Sequence, residues 1–138
     1  MRAPAELLPV LSRLSETLRR LNTAEEAKAS AASLGRHEQL DSILTEEQAL
    51  ILELRGLEQK RISILNQTGW NNLSFRQILE QEDEDGREKL APFFEQLRQS
   101  ADLLRSTKEN ADRILKVRLH QIRFLSNSEN GPHYDHYG

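Results

Sequence analysis

Residues 90–125, LAPFFEQLRQSADLLRSTKENADRILKVRLHQIRFL, decide the fold class. Leu90, Phe94, Leu97, Ala101, Leu104, Lys108, Ala111, Leu115, Arg118, Ile122 and Leu125 recur at alternating spacings of four and three. That is the apolar seam of a long helix packed on other helices, interrupted chemically only at Lys108 and Arg118. A β-strand would instead require apolar and polar residues to alternate.

Working outward, the same signature recurs upstream. Leu7, Leu11, Leu14, Leu18 and Leu21 form a second seam, which weakens to Ala24, Ala27 and Ala31 and then Leu34 before Gly35 supplies a stop. Proline is tolerated only in the first helical turn, so Pro9 requires this helix to begin close before it. Between the two seams, Leu40, Ile43, Leu44, Leu50, Ile51, Leu54, Leu57, Ile62, Ile64 and Leu65 form one broad apolar face. Asp41, Glu46 and Glu47 lie early in that stretch and Lys60 and Arg61 late, the order a helix dipole favours, and Gly69 follows as a stop. Ser74 with Gln77 three residues on predicts a capping box opening a short helix. The expected fold is all-α: an elongated antiparallel bundle of three long helices, with the short helix in the second crossover. A two-stranded hairpin plus a partner helix is the structural alternative. The expected division is one domain over 1–126 and a flexible C-terminal tail over 127–138, where Ser, Asn, Gly, Pro and His replace the seam.

Composition narrows the function. With 37% apolar and 30% charged residues over 138 positions, the chain suits one helical domain with a narrow core. A net charge of −3 gives no electrostatic footprint for general nucleic-acid binding. The absence of cysteine removes disulfides, thiolate chemistry and cysteine-ligated zinc. Ser12, Arg13, Ser15 and Glu16 interrupt the N-terminal apolar residues, so neither a signal peptide nor a membrane span is predicted. The expected location is the cytoplasm.

Candidate sites for chemistry fail on spacing. Asp83, Asp85 and Gly86 match three places of a calcium loop, but the first and twelfth positions hold Gln81 and Pro92. The acidic run from Asp83 to Asp85 is expected to solvate a loop and favour the N-terminus of the last helix. His133 and His136 are three apart but follow Gly131 and Pro132, where a helix is disfavoured, and His37 and His120 are isolated. No phosphate loop, serine elbow or metalloprotease pair is present. No catalytic, cofactor or metal site is predicted, and no enzyme.

The last fifteen residues of the final seam are too apolar for one contact. At 100° per residue, Ala111, Ile114, Leu115, Leu119, Ile122 and Leu125 define a core side, with Val117 and Phe124 well off it. The arc spans roughly 220°, against ~100° for an ordinary surface helix. Either two neighbouring helices bury the whole arc, or part of it is left for another protein's helix. On the second reading Ile114, Leu115, Val117, Leu119, Ile122, Phe124 and Leu125 bind the partner. A self-associating coiled-coil scaffold is the alternative from a different class.

Several segments together resemble the FlgN family of flagellar type III export chaperones. They are LEQKRISILNQTG (57–69), the LSFRQIL segment (73–79) and KENADRILKVRLHQIRFL (108–125). Within them, Glu58 and Arg61 match a Glu-x-x-Arg pair, Leu73 and Ser74 the start of a crossover helix, and Asn110, Ile114 and Leu115 a last-helix motif. The resemblance implies a chaperone that binds hook-associated (hook–filament junction) proteins and hands them to the export gate. It places client binding in the C-terminal part and docking on the gate's cytoplasmic domain in a tyrosine-containing tail, where Tyr134 and Tyr137 fall.

Overall fold

A computed structural model describes residues 1–125, with side chains through Asn110 and at Arg113. The chain folds as four helices: α1 (Leu7–Leu34), α2 (His37–Gln67), α3 (Phe75–Gln81) and α4 (Glu84–Leu125). Among the described residues no helix is long and apolar enough to cross a membrane. The expected all-helical class and the short helix in the second crossover are both present.

Local chemistry sets each boundary. Pro9 occupies the third residue of α1, where its missing N–H has no intrahelical partner to lose. Gly35 ends α1 at φ 67°, and the Gly35 and Arg36 amides donate to the Ala32 and Ala31 carbonyls at 3.2 and 2.9 Å. This closed, left-handed cap turns the chain directly into α2. At the end of α2, Gly69 has φ 80° and the Trp70 N–H returns to the Leu65 carbonyl at 3.0 Å. The predicted capping box is complete: the Gln77 N–H donates to Ser74 Oγ at 3.1 Å, and the Ser74 N–H to Gln77 Oε1 at 2.8 Å.

Helix α1 is the centre of the packing. Both α2 and α4 pack on it, and α3 packs on α4, whereas the backbones of α2 and α4 do not come together among the described residues. Lys28 meets Glu47 and Arg13 meets Glu53, so α2 runs antiparallel to α1. Met1 meets Asp83, Leu14 faces the same space as Leu97, and Leu21 clusters with Leu104, so α4 runs parallel to α1 at a nearly constant offset.

The core is concentrated at one end. Leu7, Val10, Leu11, Leu14, Ile64, Leu65, Ile78, Leu90, Phe94 and Leu97 form one buried cluster. Phe75 stacks on Phe94 with centroids 4.2 Å apart and planes 5° from parallel. Towards the α1–α2 turn the buried apolar residues are Leu21, Ala24 and Leu50, followed by the small Ala29, Ala31 and Ala32. At several positions along the helices the structure departs from the seams. Leu34, Leu44 and Ile62 are exposed, as are Ala101 and Lys108. Leu44 and Ile62 each sit about 120° around α2 from buried Leu50 at 100° per residue, beyond the stripe one neighbour can cover. Ala101 and Lys108 lie in the right register on α4, but the gap between α2 and α4 leaves that register open.

Candidate functional site

The gap has a defined shape. Leu14 and Leu18 of α1 form its floor, Leu54 of α2 and Leu97 and Ala101 of α4 its walls, and Phe75 of α3 its end. The space is about 330 Å³. Its polar residues, Glu58, Arg61 and Arg98, are tied at the rim. Arg61 donates to both oxygens of Glu58 (Nε–Oε2 2.5 Å, Nη2–Oε1 3.2 Å), and its guanidinium carbon lies 5.7 Å from the Phe75 ring centroid. Arg98 is held by Glu95 and Asp102 on its own helix. The Arg98 guanidinium in turn holds the Glu95 carboxyl below its ordinary range through their hydrogen bond. The groove therefore offers carbon to a visitor, with charge confined to its edges.

Beyond the groove, α4 runs on beside α1 and then past its end. By extension of the register that pairs Leu21 with Leu104, the end of α1 at Leu34 falls level with about Val117. The helix runs on to Leu125, roughly 12 Å further. Ile114, Leu115, Val117, Leu119, Ile122, Phe124 and Leu125 are all in α4, and their side chains lie outside the described residues. The tail, with Tyr134 and Tyr137, lies outside them too. Of the motif residues, Glu58, Arg61, Leu73 and Ser74 come together around the α2–α3 junction, while Asn110 is exposed on α4.

Two polar arrangements escaped the sequence reading. The first is Glu82, just before the acidic run, whose Asp83 caps α4 and whose Glu84 and Asp85 lie in its first turn, as expected. Glu82 is buried, and its carboxylate accepts the Arg2 N–H at 2.8 Å and the Ala3 N–H at 2.5 Å, tying the N-terminal segment to the start of α4. Beside it, Asp83 Oδ1 caps α4 by accepting the Gly86 N–H at 2.7 Å, and Oδ2 lies 3.2 Å from the Met1 ammonium. Those two contacts hold the Asp83 carboxyl below its ordinary range, the Gly86 amide contributing most. Gly86 is required here because a Cβ would overlap the Glu82 carboxylate, 2.6 Å from its Cδ. The Glu-to-Gly spacing of four residues around a helix start was the available signal.

The second arrangement is a buried charge cluster between α1 and α2. Lys28 Nζ lies 2.9 Å from Glu25 Oε2 and 3.1 Å from Glu47 Oε2, and both Glu25 and Lys28 are under 5% exposed. Burial, and then a hydrogen bond to Glu47, push the Glu25 carboxyl up to about 7. Burial alone would raise Glu47 as well, but hydrogen bonds from Glu25 and Lys28 and the charges of Lys28 and Lys108 hold it below its ordinary range. The Glu25–Lys28 spacing of three was legible, but the burial was not.

Among the described residues no group of three acidic or histidine side chains is arranged to hold a metal. The geometry thus combines an apolar groove with a projecting helix. No curated protein and no solved structure matches the chain, but the family model described as FlgN protein matches residues 1–138, the whole of it. The chain belongs to the FlgN family, a family of flagellar export chaperones and not of enzymes.

Proposed function

We propose that this protein binds hook-associated flagellar proteins in the cytoplasm and keeps them competent for export through the type III gate. The observation that carries this reading is the length of α4, which outruns the helix it packs on while its sequence stays rich in leucine and isoleucine. A client's amphipathic helix packs along that projecting segment through Ile114, Leu115, Val117, Leu119, Ile122, Phe124 and Leu125. Covering apolar surface on both partners supplies the driving force and keeps the client from aggregating. Four basic residues and no acidic one occur from Arg113 to Ser128, which suits an acidic or amphipathic client. Tyr134 and Tyr137 then provide weak, reversible contacts to the gate's cytoplasmic domain, since tyrosine gives large contact area at low entropic cost.

The test is a chain ending at Arg113. It retains the buried core of the described residues, whose last α4 neighbour is Leu104. Circular dichroism is expected to report a folded helical protein, and client capture is expected to be lost. Undiminished capture by the shortened chain overturns the assignment of α4 as the client site.

A further inference from the structure

The short helix α3 and the groove share one slot. Phe75, Ile78 and Leu79 stand at positions one, four and five of α3, on a single helix face, and all three belong to or pack on the main core cluster. Phe75 lies between Phe94 of α4, stacked at 4.2 Å, and the Arg61 guanidinium of α2, 5.7 Å from its ring centroid. Helix α3 is thus a short fourth helix set between α2 and α4, whose backbones do not come together among the described residues.

The bed beneath α3 does not stop where α3 does. On α4 it passes from Leu90 and Phe94 to Leu97 and Ala101 in the groove. On α1 it passes from Leu7 and Leu11 to Leu14 and Leu18, and on α2 from Ile64 and Leu65 back to Leu54. Burial records where the cover ends: Leu90 is 0% exposed, whereas Leu18 and Leu54 are half-buried and Ala101 is exposed. At the far end Leu104 packs against Leu21 and Leu50. From Leu54 to Arg61 the open stretch runs about 10 Å, or two helical turns.

The lining also selects the conformation of an occupant. Glu58, Arg61 and Arg98 are the polar side chains at the rim, and each is engaged with another side chain. An extended peptide would leave its own N–H and C=O groups without partners over this bed, whereas a helix satisfies them internally.

We propose that the open part of the slot receives two turns of an amphipathic helix from the hook-associated client, laid end to end with α3 between α2 and α4. The proposal rests on the chaperone function proposed for the chain and adds a second contact to it. Helix α4 joins the two contacts, since Ala101 and Ile114 lie about 20 Å apart along it. The client segment carries large apolar residues at the spacing α3 uses, i, i+3 and i+4, and polar residues elsewhere.

Titration calorimetry with a purified hook-associated protein tests this on the full chain. Ala101→Glu puts a carboxylate into the slot from an exposed helix position, and Ala101→Phe plugs the slot with carbon. Both are expected to keep the helical circular-dichroism spectrum and to weaken client binding about tenfold or more. Should Ala101→Glu not fold, Ala101→Phe carries the test. Gln99→Glu makes the same charge change on the other side of α4 and is expected to bind as the parent does. Parent-like binding by both Ala101 variants overturns the slot and leaves the end of α4 as the client site. An equal loss in Gln99→Glu reduces the effect to charge and overturns the slot as well. A client that binds no form of the chain overturns the function, and the slot with it. If Ala101→Glu instead changes the chain's own oligomeric state in light scattering, a second copy fills the slot. If its effect disappears in a chain ending at Leu125, the C-terminal segment fills it. Either result displaces the client as occupant and overturns the proposal.

Discussion

Replacing Glu82 with alanine tests the N-terminal anchor most sharply. The carboxylate receives the Arg2 and Ala3 amides, the second of them buried, across nearly eighty residues of sequence. A hydrogen bond to a charged group contributes about 1.5–3 kcal/mol net, and an abandoned buried donor costs about 1–3 kcal/mol. Two such bonds set an upper bound of about 6 kcal/mol. The segment has a cheaper escape, however, because residues 1–6 can detach, hydrate their amides and regain backbone entropy of about 1–2 kcal/mol per residue. Detachment forfeits the burial of Ala3 and the packing of Met1 on the core. The expected loss is therefore about 2–4 kcal/mol, a large share of a domain's ordinary stability. Urea denaturation followed by far-ultraviolet circular dichroism reads it directly. Glu82→Gln keeps one acceptor oxygen and is expected to lose about half as much. Exchange at the Leu7 and Leu8 amides, which donate to the Pro4 and Ala5 carbonyls, is expected to quicken in step. A Glu82→Ala protein within about 0.5 kcal/mol of the parent refutes the reasoning.

Other substitutions follow from the same packing. Gly86→Ala is expected to destabilise the parent because its Cβ overlaps the Glu82 carboxylate, yet to stabilise the Glu82→Ala background by about 1 kcal/mol through helix propensity. Equal effects of Gly86→Ala in both backgrounds, by the same denaturation assay, contradict that coupling. Ile78→Ala empties a fully buried position between α3 and the core and is expected to cost about 2–5 kcal/mol; a loss under about 1 kcal/mol contradicts its place there. Replacing Tyr134 and Tyr137 together with alanine is expected to leave client binding intact and weaken binding to the export gate's cytoplasmic domain. Loss of both activities, or of neither, in pull-down measurements counts against the tail assignment.

Much of this architecture is written in local pattern. The leucine spacing of α1, the Ser74–Gln77 box and the glycines at 35 and 69 all act within a few residues, and each does in the fold what its chemistry requires. What a seam does not state is how many neighbours a helix has. Leu44 and Ile62 extend the apolar face of α2, but among the described residues only the backbone of α1 comes close to that helix, and both remain exposed. Ala101 and Lys108 continue the seam of α4 along the gap left between α2 and α4. The groove was hidden for the same reason, since it is an absence of contact between two helices distant in sequence. Glu82 and the Glu25–Lys28–Glu47 cluster were hidden because a charged residue reads as solvated unless its partners are known, and those partners lie on other segments. The projecting end of α4 needed both views: its apolar width came from the sequence, and its overrun from the register with α1.

Light scattering over a concentration series, with and without a purified hook-associated protein, tests the central claim most directly. The account predicts a defined one-to-one complex between chaperone and client, formed without prior self-assembly of the chaperone. A tight homo-oligomer that ignores the client would contradict it and make the apolar helix a self-association surface.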